Sequence, residues 1–329
     1  MQLHGYWQDG AVIQQGAPFT VTGRVQTART ITVRLMREED GEELERVVCT
    51  AADGRFSAAL QGRPGSYASY ALLCEGEGET ASCHGLLFGE VWLASGQSNM
   101  EFVLRSCADR DRADALYSPY IRYLNCAKPA DAADGGEVAR AVHPLEELSA
   151  AGWRAADSME NAGNMSGVAF FMAAALLARL GVPVGMICTA AGGTTIEAWL
   201  SRDTVEADPL LADHLRRAER YVSESQFNTM GGRNYTQLSG LYNERIAPLR
   251  GVSLRGLVWL QGESSAGSEE EAAFYTRALT ALVTTWRALF GAPLPCIVVD
   301  IAAENYQFEP LAVPHLNEGI AAAVETLDA

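Results

Sequence analysis

Positive charge is scarce in this chain: 25 Lys and Arg stand against 41 Asp and Glu, a formal charge of −16 over 329 residues. Nucleic acid and anionic membrane both demand a basic surface, so neither is expected as a partner. Long apolar runs are missing too. The longest, Val168 to Leu180, is too short to span a bilayer and contains Arg179. Met1-Gln2-Leu3-His4-Gly5 shows no basic segment followed by an apolar core, so no secretory signal is visible and a cytoplasmic location is expected. The seven cysteines (Cys49, Cys74, Cys83, Cys107, Cys126, Cys188 and Cys296) are odd in number, with no CxxC spacing. That favours free thiols over zinc or dithiol chemistry, and no metal or cofactor is expected. Histidine is limited to His4, His84, His143, His214 and His315.

What is present is ordinary globular protein, 48% hydrophobic and 20% charged, at a length that suggests two domains. Up to about Phe88 the chain reads as all-β. Thr20-Val21-Thr22, Thr30 to Leu35, Arg46 to Cys49 and Tyr70 to Cys74 are short β-branched or alternating runs. Turn clusters such as Glu39-Asp40-Gly41 and Arg63-Pro64-Gly65 separate them, and this spacing suggests a sandwich.

Val91-Trp92-Leu93-Ala94 then reads as a buried strand ending in the turn pair Ser95-Gly96. Ser98 falls just past its carboxyl end, where open α/β sheets place their ligands. A serine there has two readings: an activated nucleophile, or a residue that starts the next helix. Glu101 to about Asn164 is weakly periodic, and Ala130 to Gly136 reads as a surface loop. Gly167 to Leu180 is a helix stopped by Gly181 and Pro183, and Val182 to Cys188 is a second strand. Strand, helix, strand and the turn Gly192-Gly193 make a parallel βαβ unit.

Further on, Pro209 to about Ser223 is a charged helix in which His214 stands on a solvated face. Leu254 to Leu260 is a third strand, followed at once by Gln261-Gly262-Glu263. Glu269 to Leu289 is an amphipathic helix, Leu294 to Ile301 a fourth strand, and Pro314 to Leu327 a last helix.

Three blocks carry a resemblance. Gly89-Glu90-Val91-Trp92-Leu93-Ala94-Ser95-Gly96-Gln97-Ser98-Asn99-Met100-Glu101-Phe102 resembles the nucleophile block of the sialate O-acetylesterase family, a group of SGNH-type hydrolases. Gly192 to Trp199 resembles its second block and Gly256 to Ser264 its third. The resemblance implies Ser98 as nucleophile, the Gly193 N–H and the Gln261 amide as oxyanion donors, and Glu263 as an acid that orients a histidine. Tyr242-Asn243 resembles a segment that borders the family's active site; a plain helix start is the equal alternative. Asp9 to Gln15 matches the opening strand of the small β-domain that precedes the family's catalytic domain.

The fourth block, Asp-x-x-His, is absent, although its histidine is the family's general base. Three explanations are open: a truncated chain lacking the last strand, His315 in the role, or lost catalysis. The first is favoured. The expected fold is therefore α/β: a three-layer α/β/α flavodoxin-like domain over 86–329, with loop insertions at about 103–164 and 201–240, preceded by a small β-sandwich domain over 1–85. The expected activity is carbohydrate O-acetyl ester hydrolysis through a serine acyl-enzyme, acting on an O-acetylated sugar such as sialic acid. The alternatives are an acetylxylan-type esterase and a carbohydrate-binding relative that has lost its base. Self-association of the chain is compatible with all of these.

Overall fold

The computed structural model describes residues 1–126, 140–229, 236–291, 293–302 and 311–327. Ala130 to Gly136, read above as a surface loop, lies outside them. The chain begins with β1 (Gln2–Leu3), β2 (Val12–Gln14), β3 (Phe19–Arg24), β4 (Thr30–Arg37), β5 (Glu43–Thr50), β6 (Arg55–Leu60), β7 (Ser66–Gly76) and β8 (Glu79–Gly96). β1, β3 and β6 form one sheet, while β5, β4 and β7 join β8 in another. The four strands expected here from sequence are β3, β4, β5 and β7. β6, missed for its two alanines, alternates exposed and buried residues regularly.

β8 organises the molecule. Along Glu79–Gly85 its burial largely alternates, as in an antiparallel strand with one covered face, and it pairs antiparallel with β7. From Leu86 to Gly96 every residue is buried, as in a strand covered on both faces. There it pairs in parallel with β11 (Val184–Cys188) and β12 (Gly256–Leu260). Pairing with β7 shifts register between Cys83 and Leu86, around Gly85, which has φ +65°. One continuous strand thus crosses the expected boundary at 85/86.

The carboxyl-terminal part of this large mixed sheet runs β10-β9-β11-β8-β12-β13. β9 (Ser118–Cys126) and β10 (Ala150–Ala156) arise from the stretch read as weakly periodic. β13 is only Cys296–Val298, shorter than the expected fourth strand. Among the described strands it pairs with β12 alone, and Ile297 is 44% exposed.

The helices are α1 (Ser98–Glu101), α2 (Met159–Ala162), α3 (Gly167–Leu180), α4 (Arg202–Ala207), α5 (Pro209–Arg217), α6 (Glu269–Phe290) and α7 (Ala312–Leu327). α3 and α6 follow the sequence expectation closely because their ends are chemically marked. Ser166 and Ser268 accept first-turn amides, and Gly181 and Gly291 close the helices in the left-handed conformation. No helix among the described residues is long and apolar enough to cross a membrane. His214 is corrected by the fold. It is buried, stacked on Phe274 of α6 with ring centroids 4.2 Å apart, and bonded to Glu271 at 3.1 Å.

Candidate active site

β8 ends in a turn that only glycine tolerates. Gly96 has φ +142°, and a Cβ there would overlap the Leu260 carbonyl oxygen of the neighbouring strand. This close approach lets the Gln97 N–H donate to the Leu260 carbonyl at 3.0 Å and turns the chain directly into α1. Ser98 opens that single turn of helix and is exposed, while Gln97 before it and Met100 after it are buried. Among the described residues no hydrogen bond reaches the Ser98 backbone N–H or its hydroxyl, as befits the first residue of a helix.

Facing Ser98 is the segment after β11. A Cβ on Gly192 would lie 3.5 Å from the Ser98 Cβ. The Gly192 N–H is already taken, donating to Glu101 Oε2 at 2.7 Å. Gly193 is left-handed at φ +72° and exposed, and its N–H has no partner among the described residues. Of the two adjacent glycines, Gly193 alone keeps its N–H unpaired among the described residues.

Gln261 departs from expectation. It is completely buried, and its amide nitrogen is within bonding distance of Gln97 Oε1 (3.0 Å), the Thr194 carbonyl (3.0 Å) and Ser265 Oγ (3.1 Å). Two N–H bonds facing three acceptors leave none for a developing oxyanion. Gln261 therefore ties the three sequence blocks together rather than pointing an amide at Ser98. Gln97 Oε1 also accepts from the Gly262 and Ser264 amides, each at 3.3 Å.

Glu263 is 7% exposed and bonds through Oε1 to the Asn99 side chain, one residue past Ser98; among the described residues its Oε2 has no partner. His315 is not brought to this cluster by any hydrogen bond. It lies on α7, half-buried, with Glu318 3.8 Å away. The other histidines are also engaged elsewhere: His4 with the Glu146 carbonyl, His84 with Glu38, His143 near Glu224 and His214 with Glu271. Among the described residues no general base touches Ser98, and no group of three or more His, Cys, Asp or Glu could hold a metal ion.

Sequence reasoning missed Arg245. It is 2% exposed, and its Nη1 donates to the carbonyls of Thr189 (2.9 Å) and Ala190 (2.7 Å), where β11 gives way to the glycine turn. Among the described residues its Nε and Nη2 have no partner, and burial holds the guanidinium below its ordinary value, with nearby Arg140 adding to the effect. The signal was a lone Arg inside Leu241–Leu249. Beside it Asn243 donates to the Ala141 and Val142 carbonyls, a structural use. Arg245 and Glu101 both line a cavity of about 210 Å³ beside α1, shared with Asn125, Asn164 and Cys188.

The chain is similar to known proteins in sequence and in fold. Residues 89–329 match the model of a family described as carbohydrate esterase, sialic acid-specific acetylesterase. Human sialate O-acetylesterase is 30% identical over 220 residues, covering 64% of this chain and 38% of the human protein. The mouse enzyme is 28% identical over 238 residues, covering 64% of this chain and 41% of its own length. The chain thus spans about two fifths of the curated relatives it matches. The crystal structure of a carbohydrate acetylesterase from Xanthomonas citri superposes with a TM-score of 0.79 at 27% identity, covering 98% of this chain and 66% of that one.

Proposed function

Because the chain belongs to the sialic acid-specific acetylesterase family of carbohydrate esterases, we propose that it hydrolyses O-acetyl esters of a sugar through a serine acyl-enzyme. The observation that carries this is the pairing of an exposed Ser98 with a glycine turn one van der Waals contact away, where the Ser98 and Gly193 N–H groups have no partner among the described residues. In the proposed reaction Ser98 Oγ attacks the acetyl carbonyl carbon. The two amides stabilise the oxyanion, usually the largest single catalytic contribution. The sugar alcohol leaves, and water then releases acetate and regenerates Ser98.

The attack needs a base, and the chemistry asks for a histidine. We propose that this histidine is oriented by Glu263, whose Oε2 has no partner among the described residues. The finer architecture we propose is a three-layer α/β/α domain on the β9-β11-β8-β12-β13 parallel strands. The preceding β-sandwich would have Val21, Phe56 and Leu60 meeting Ile31, Val33 and Leu72 in its core, all of them buried. Sialic acid is the proposed sugar, by family; a cytoplasmic setting is part of the same proposal.

The test is acetate release from a p-nitrophenyl ester by the 329-residue chain and by Ser98→Ala, together with labelling of Ser98 by a fluorophosphonate. Turnover and labelling that vanish in the variant support an esterase that carries or recruits its base. A folded chain with neither overturns the reading for this chain and favours a sugar-binding relative.

A further inference from the structure

The turn that presents Gly193 is held along its whole length. Ala191 N–H donates to the Gly96 carbonyl at 3.0 Å, and Thr194 Oγ1 donates back to the Ala191 carbonyl at 2.8 Å. Gln261 holds the Thr194 carbonyl, and Arg245 holds those of Thr189 and Ala190. These ties fix the turn to the sheet and to the segment around Arg245. They do not set its distance from the nucleophile.

Glu101 does. Ser98 and Glu101 are the first and last residues of α1, three positions apart and so neighbours on one side of the helix. The Glu101 carboxylate takes the Gly192 N–H at 2.7 Å, and a Cβ on Gly192 would stand 3.0 Å from Oε2 and 3.5 Å from the Ser98 Cβ. A charged acceptor makes this a strong hydrogen bond, about twice a neutral one. By engaging the Gly192 N–H, the carboxylate holds that peptide in one orientation, leaving Gly193 next in the chain with its N–H free. We infer that Glu101 is a positioning residue of the proposed esterase: it clamps the nucleophile helix to the glycine turn and fixes the separation of Ser98 Oγ from the Gly193 donor. Glu101 acts through Gly192 and touches no substrate. Arg245 faces the same cavity from the other end of the turn, so a cation on its carbonyls and an anion on its amide grip it in opposite senses along the chain.

The inference rests on the esterase reading, so its test has two independent readouts. Steady-state kinetics on p-nitrophenyl acetate are compared for the wild-type chain, Glu101→Ala and Glu101→Gln, and the Gly192 amide proton is followed by NMR in [15N]glycine-labelled protein. Misplacing the donor in Glu101→Ala is expected to lower kcat about 10- to 100-fold. KM should stay within about threefold, because the lost interaction forms in the transition state. Glu101→Gln keeps an acceptor oxygen and is expected to recover kcat to within about fivefold of wild type. The Gly192 amide proton should move upfield in Glu101→Ala and stay near its wild-type position in Glu101→Gln. An unchanged kcat in Glu101→Ala, a loss carried by KM, or an unmoved Gly192 resonance overturns the clamp. If the wild-type chain shows no Ser98-dependent turnover, the esterase reading falls. The Gly192 resonance then decides the clamp alone.

Discussion

The Gln97 side-chain oxygen accepts a hydrogen bond from the Gln261 amide at 3.0 Å, joining segments 164 residues apart in the chain. One glutamine precedes Ser98 and the other precedes Glu263, so this bond ties the Ser98 turn to the Glu263 segment. Both residues are buried, and neither bond partner can turn to water for compensation.

Gln261→Ala should therefore cost stability as well as rate. It strips a donor from Gln97, from the Thr194 carbonyl and from Ser265. Buried acceptors left unsatisfied cost about 1–3 kcal/mol. Urea unfolding is expected to show a lowered midpoint. A variant with an unchanged midpoint and a slower rate would restore Gln261 as an oxyanion donor.

Two glycines with positive φ should respond differently to alanine. Gly181 at φ +66° closes α3 in open space, so Gly181→Ala carries only the left-handed penalty, about 1 kcal/mol. At Gly96 the Cβ would overlap the Leu260 carbonyl, and Gly96→Ala should lose about 2 kcal/mol or more. Equal effects on the two unfolding midpoints would mean that β8 and β12 approach less closely at this turn than described.

The pH dependence of stability should carry the mark of Glu197. It is 1% exposed, and burial pushes its carboxyl above the ordinary value, against the pull of Arg220. The folded chain holds this proton more tightly than the unfolded chain does. Ionisation therefore costs stability as pH rises through the ordinary carboxylate value towards the folded one, and stability from this group is greatest in acid. Glu197→Gln removes that cost. The Tm gain of the variant over wild type should be smallest below about pH 4 and grow towards neutral pH. A gain confined to the acid side would reverse the assignment.

Thiol reactivity should divide the seven cysteines. Burial pushes the thiols of Cys74, Cys83, Cys126, Cys188 and Cys296 up to about 12. Cys49 and Cys107 are only half-buried. A disulfide reagent near neutral pH should modify those two first, and the other five only on unfolding. Fast modification of Cys188 in the native chain would mean that the cavity beside α1 is open to reagents.

The sequence by itself determined the order of the parts. β8 from Leu86 onward, β11 and β12 lie buried on both faces, so apolar residues dominate them, with Glu90 and Ser95 the buried polar exceptions in β8. α3 and α6 needed a capping serine and a left-handed glycine, both local signals. The blocks around Ser98 and Gly193 were legible because each is contiguous in the chain, and the roles proposed for them rest on the resemblance. β9 and β10 were not, since their mixed polar sequence, with Pro119, Arg122 and Asn125 in β9, becomes strand only by pairing with partners far along the chain. His214 looked solvated until α6 supplied Phe274 and Glu271. What Gln261, Glu101 and Arg245 do was decided by tertiary structure alone. A hydrogen-bonding side chain has no fixed role until the fold chooses its partner, and here those partners are 164, 91 and 55 to 56 residues away.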